Sequence, residues 1–340
     1  AATPATGFAL HATPSLVSLR AVSVGDRAAS SVPATTTTMS TSARSFRRRP
    51  RAQCASQVRA RTGLLRSSAV DMETTPDVPP PVVAAKKKGG AGKPVLAVEG
   101  DTLETTPMMV GLVAGSWMVS LMALQPLFAA LAAGPSPLQL IQLAFTFVAT
   151  VVFSDFFSGV FHWSTDNYGN GKTPVFGTVI AAFQGHHSTP WTITHRSFFN
   201  NVHKIARSVI PLLMLAMLCT SSPCARLFWV IFLNSQTMSQ EFHKLSHMPK
   251  PSPFVQWMQR NNLAISKEIH MAHHSSPFEA HYCILTGVCN KALDDANVWR
   301  RMEAIIYKIN GVEPNCWREE GGEELKAFAL SLVEPKGARA

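Results

Sequence analysis

The chain has 340 residues, and its formal charge of +10 would suit a nucleic-acid-binding protein if it were spread over a surface. It is not: residues 1–70 carry ten Arg, no Lys and one acid, Asp26, so removing this net +9 from +10 leaves +1 for residues 71–340, too little to grip phosphate backbones. The six cysteines (Cys54, Cys219, Cys224, Cys283, Cys289, Cys316) contain no CxxC and no regular framework, which argues against a disulfide scaffold and a structural zinc site.

In chain order, residues 1–70 are rich in Ala, Ser, Thr and Arg and lack an apolar run long enough for a secretory signal. This is the composition of an organelle transit peptide, chloroplast or mitochondrial, with cleavage expected near residues 65–72. Residues 71–104, with "DVPPPVV" and "KKKGGAGK", read as a flexible linker. A membrane domain is expected over 105–318, and a polar, frayed tail over 319–340.

Between Glu104 and Asp155 there is no Asp, Glu, Lys or Arg. "GPSP" at 134–137 divides this region into stretches of about 108–133 and 138–161, each longer than the roughly 20 residues that cross a bilayer and without a polar face. Further on, "ARSVIPLLMLAML" (206–218) and "RLFWVIFLNS" (226–235) are short alone. With their flanks they predict two longer helices, 198–219 and 225–247, that leave the membrane and continue into water. The fold expected is an all-α membrane protein with about four transmembrane helices in two hairpins. Both hairpin turns, 134–137 and 221–225, are uncharged, whereas the opposite helix ends carry Arg196, Lys204, Arg207, Lys244 and Lys250. The positive-inside rule puts those ends on the cytoplasm-like face, the stroma in a plastid. An amphipathic helix over 293–309 is expected to lie on the same face.

Eleven of the twelve histidines fall between 162 and 281. His162 follows the second span, with Asp166 one helical turn on. His186 and His187 sit in "QGHH", His203 opens the third helix, and His243 and His247 close the fourth at i, i+4. The stretch "KEIHMAHHSSP" (267–277) holds His270, His273 and His274. The expected topology brings all of these to one face of the membrane. An isolated HxxxH is common on helix surfaces, and a lone histidine is more often hydrogen-bonded than metal-bound. Three clusters converging at one face point instead to metal. Calcium and magnesium prefer oxygen, structural zinc recruits cysteine, and imidazole suits iron, copper, nickel and zinc. Eight histidines divide into two ions with about four nitrogens each, leaving positions open for dioxygen. Two irons can share the four electrons of oxygen reduction and oxidise an aliphatic C–H bond, and a site beneath apolar helices implies a lipid acyl chain as substrate.

The histidine boxes resemble those of membrane fatty acid desaturases and hydroxylases. More closely, "SGVFHWSTDNYG", "QGHHSTPWTIT", "QEFHKLSH" and "HxxHH…YCILTG" resemble the Kua group over about residues 108–318. That group includes plasmanylethanolamine desaturases and the plastid desaturase that forms trans-3-hexadecenoate on phosphatidylglycerol; "PWTIT" and "NNVH" are more similar to the plastid branch. The resemblance implies two non-haem irons, dioxygen as co-substrate, a membrane phospholipid substrate and an oxidoreductase of the thylakoid or inner envelope membrane. It assigns metal binding to His162, His186, His187, His243, His247, His270, His273 and His274, with His203 as a ninth ligand. Asp166 is expected either to orient the His162 ring or to be solvated at a helix end. His195 and His281 are left out. The chain has no recognisable dinucleotide or haem-binding motif, so electrons are expected from a separate protein, ferredoxin in a plastid. An ether-lipid desaturase or an acyl hydroxylase could use the same irons. A metal transporter or sensor would place ligands at the bilayer midplane, yet 108–154 has no His, Asp or Glu.

Overall fold

The computed structural model describes residues 93–334; the expected transit segment, most of the linker and the last six residues lie outside the described residues. Helix α1 (Pro107–Ala123) starts where the Thr106 side chain accepts from the Met109 amide, with Pro107 at its first position, a place that needs no N–H. It passes at Leu124 into α2 (Gln125–Ala132). Pro126 has no amide to continue the ladder. Helix α3 (Pro137–Asn167) opens on a capping box, Ser136 Oγ taking the Gln139 amide while Gln139 Oε1 takes the Ser136 amide at 2.8 Å. Helices α5 (Phe198–Cys219) and α6 (Pro223–His247) form a hairpin, each capped by a serine, Ser197 and Ser222.

Among the described residues, three segments are long and apolar enough to cross a membrane: Pro107–Ala132, Pro137–Asn167 and Phe198–Cys219. The fourth span read from the sequence is not among them. Helix α6 has the length, at 25 residues, but its second half, "SQTMSQEFHKLSH", is polar. Side chains such as Met118, Leu121, Phe145, Val148 and Leu218 stand exposed on α1, α3 and α5, as hydrocarbon-facing residues must. Ala123, Val209, Leu213, Val230, Phe232 and Leu233 bury between α1, α5 and α6. Asn234 donates from α6 to Ser120 Oγ on α1 at 2.9 Å, a polar tie of the kind that joins helices in lipid.

The remaining elements are α4 (Gly177–Ser188), a 3-10 turn (Pro190–His195), α7 (Pro253–Arg260), α8 (Lys267–His273), α9 (Asn290–Asp295), α10 (Val298–Asn310), a second 3-10 turn (Asn315–Arg318) and α11 (Gly322–Ser331). Among the described residues there is no strand. The amphipathic helix expected over 293–309 is two helices, broken at Asn297, which adopts φ 53°. The tail expected to fray instead folds as α11. Leu325 and Ala329, one turn apart, bury against Ala304, Cys316 and Trp317, an apolar pair hidden in an otherwise polar stretch. Residues 93–104, placed in the linker, are also tied down: Val95 N donates to Thr192 Oγ1 at 3.0 Å, and Asp101 pairs with Arg196 and Lys204.

Candidate metal centre

The eight box histidines come from the C-terminal parts of α3, α4 and α6 and from α8 with its cap residue His274. They form two adjoining groups. In the first, His186, His243, His247, His270 and His274 turn their ring nitrogens to a common point. His247 Nε2 lies 2.9 Å from His186 Nε2 and 2.8 Å from His270 Nε2, and His270 Nε2 lies 3.1 Å from His274 Nε2. A neutral imidazole nitrogen carries one proton or one lone pair. His247 Nε2 and His270 Nε2 each face two neighbouring nitrogens, so hydrogen bonds alone cannot satisfy the set. Nitrogens about 2.9 Å apart are what an ion with bonds of about 2.0–2.1 Å at right angles would produce. Both nitrogens of His243 are buried without a hydrogen-bond partner. Burial first, and then the neighbouring imidazoles, hold His186, His270 and His274 well below the usual imidazole range. The rings are therefore neutral, the form that ligates metal.

The second group is His162, Asp166, His187 and His273. His162 Nδ1 is 3.0 Å from the Tyr282 carbonyl and His273 Nδ1 is 2.8 Å from the Ala280 carbonyl. A carbonyl oxygen only accepts, so both Nδ1 atoms carry the proton and both Nε2 atoms present a lone pair. Those lone pairs face an anion: Asp166 Oδ2 is 3.2 Å from His162 Nε2, 3.2 Å from His187 Nε2 and 3.4 Å from His273 Nε2. Lone pairs opposed to a carboxylate oxygen in a buried site repel unless a cation lies between them. The donor sets of both groups thus fit a pair of metal ions. Asp166, expected to orient His162 or to be solvated, is instead buried with its oxygen among the three rings.

The sequence reading places eight of these histidines near one another, and the structure brings all eight together. His203 joins neither group; its Nδ1 bonds to the Asn200 carbonyl at 2.8 Å. His195 is exposed, and His281 pairs with Asp294 at 2.9 Å. What sequence reasoning missed is the scaffold that aims the rings. Asp155 is fully buried in α3, and its carboxylate accepts the amides of Thr286 (2.7 Å), Gly287 (2.8 Å) and Cys289 (2.9 Å). This pins the 282–289 loop, whose Tyr282 carbonyl in turn fixes His162. Gly159 allows the approach, since a Cβ there would sit 2.5 Å from Cys283 Sγ. Glu303, buried in α10, accepts from Trp163 Nε1 and Trp317 Nε1, each at 3.0 Å, and from Arg300 at 2.6 Å. The signal for Asp155 was available: it is the first acid after 50 uncharged residues, inside an apolar helix.

Membrane-length apolar helices and two histidine-rich groups able to hold metal ions describe the class, and comparison with known proteins gives its kin. Residues 151–317 match the lipid desaturase domain model. The chain is 30% identical over 190 residues to plasmanylethanolamine desaturase 1 of Mus musculus, covering 53% of this chain and 70% of that one. The chain belongs to the lipid desaturase family. It is 37% identical over 185 residues to both fatty acid desaturase 4-like 1, chloroplastic, and fatty acid desaturase 4, chloroplastic, of Arabidopsis thaliana, covering 54% of this chain. It spans 63% and 57% of those two relatives' lengths. No solved structure matches.

Proposed function

We propose that the protein is a di-iron, oxygen-dependent desaturase that introduces a double bond, trans at the third carbon, into the palmitoyl chain of phosphatidylglycerol in a chloroplast membrane. The observation that carries the chemistry is the pair of adjoining donor groups, one of five histidines and one of three histidines with Asp166, the second built on the end of an apolar membrane-length helix. A fatty acyl chain as substrate and a chloroplast location are supported by the two relatives named as chloroplastic fatty acid desaturases at 37% identity, against 30% for the mouse plasmanylethanolamine desaturase. Residues 1–70 would direct import into the plastid, and the site would face the stroma.

In this reading His162, His187, His273 and Asp166 hold one iron and His186, His243, His247, His270 and His274 the other. Bound there, the irons supply dioxygen activation and removal of hydrogen from an unactivated C–H bond. The balance is one –CH2–CH2– unit, O2, two electrons and two protons giving one –CH=CH– unit and two waters, with a ferredoxin-type protein as the electron donor. The chain's part is positional. The Tyr282 and Ala280 carbonyls keep two Nε2 lone pairs aimed inward, the depressed proton affinity of His186, His270 and His274 keeps these ligands neutral at pH 7, and burial excludes bulk water.

Expression of the chain in a host that lacks trans-3-hexadecenoate, followed by gas chromatography of each phospholipid class, tests this. The expected product is a new trans-monoene confined to phosphatidylglycerol. A vinyl-ether lipid or a hydroxylated acyl chain in its place would overturn the reading.

A further inference from the structure

A cavity of about 150 Å³ opens beside the first histidine group. That is room for a group of about six heavy atoms, judged by the benzene-binding cavity of similar size. Its wall includes His186 and His243 at one side and Arg196, Lys204, Asn200 and Asn201 at another. Arg196 precedes α5 by two residues and Lys204 lies in its second turn, so the two cations sit where the third apolar segment begins, at the depth of lipid headgroups. Both are held by a single acid. Asp101, six residues before α1, pairs with the Arg196 guanidinium and, at 3.2 Å, with Lys204 Nζ. Burial opposes the Asp101 charge, but the guanidinium and the ammonium outweigh it and keep the carboxyl below its usual range.

The segment carrying Asp101 runs over the cavity as a strap. Val95, Leu96, Ala97 and Val98 line its roof, and Ala97 packs so close to α4 that a Cβ on Gly185 would lie 2.6 Å from its own. Its hold is polar and local: the Trp191 indole donates to the Lys93 carbonyl at 3.3 Å, and Asn200 Nδ2 donates to the Thr102 and Glu104 carbonyls at 2.8 and 2.9 Å. We propose that Arg196 and Lys204 are the binding site for the phosphate of an anionic phospholipid, and that Asp101 holds that place in the empty enzyme. A headgroup bound there would set the first methylenes of its acyl chain in the cavity beside His186 and His243. This inference rests on the proposed desaturation near the carboxyl end of the chain and names what fixes that position.

The full chain, purified in detergent, is loaded with equal amounts of dioleoylphosphatidylglycerol and dioleoylphosphatidylcholine, washed, and the retained lipids counted by mass spectrometry. The wild type should retain the anionic dioleoylphosphatidylglycerol preferentially. Lys204→Gln, at a largely exposed position, and the conservative Arg196→Lys should each cut that preference about tenfold, the low end of what one hydrogen bond to a charged group contributes. Asp101→Asn should raise it. Millimolar inorganic phosphate should leave the retained lipid in place. Unchanged preference in both cation variants, or full displacement by inorganic phosphate, would overturn the proposal. Retention is read without turnover, so loss of desaturase activity and loss of this site are separable results.

Discussion

His162 and His273 give their Nδ1 protons to backbone carbonyls and turn bare Nε2 atoms toward Asp166 Oδ2. No arrangement of protons on those three groups is comfortable while the imidazoles stay neutral, and burial opposes charging His273. A cation resolves the conflict, which makes Asp166 the residue that distinguishes the second group from the first. Asp166→Asn keeps the size and removes the charge. It should drop metal content from about two ions per chain to about one, because the five-histidine group keeps its own ligands, while His195→Ala, at an exposed position, should leave both. Elemental analysis of the purified variants reads this directly. Two ions retained in Asp166→Asn would show that the carboxylate is not a ligand. Spacing alone could not assign this role: an aspartate one turn after a histidine also fits a solvated helix end.

At the scale of elements, the spans defined by absence of charge were legible from composition, because hydrocarbon tolerates few charges over some 20 residues. The histidine-bearing helix ends were legible too, since i, i+3 and i, i+4 spacing puts rings on one face. Helix α6 was read as a span because its apolar half was extended through a polar flank, and α11 was missed because only Leu325 and Ala329 mark its buried face. The loop 282–289 was not legible as a structural part, since its order comes from contacts with α3 more than 120 residues away in sequence. Three amide donors converge on buried Asp155, and hydrogen bonds to a charged group contribute about 1.5–3 kcal/mol each. Asp155→Ala should therefore destabilise the protein by about 3–5 kcal/mol, allowing for non-additivity, and free the Tyr282 carbonyl from its place against His162. Thermal unfolding in detergent, followed by intrinsic fluorescence, should show a clearly lowered midpoint. A midpoint within a degree or two of wild type would mean that the loop is held by its packing alone.

For the whole molecule, α3 and α6 each carry histidines at their C-terminal ends, α4 and α8 bring the rest, and α10 locks α3 through Glu303 and Trp163. The chain thereby gathers eight imidazoles from positions spread over more than 110 residues into one buried site. In the proposed reading, a phospholipid held at the cation pair on the edge of the cavity would bring its upper acyl chain toward the two histidine groups. Desaturation at this site requires that both groups hold an ion. The most direct measurement is elemental analysis of the full chain purified in detergent from an iron-replete host, paired with its desaturase activity. About two irons per chain are expected, with activity lost on chelation and restored by ferrous iron. Stoichiometric zinc with desaturation intact, or full activity in metal-free protein, would contradict the di-iron reading.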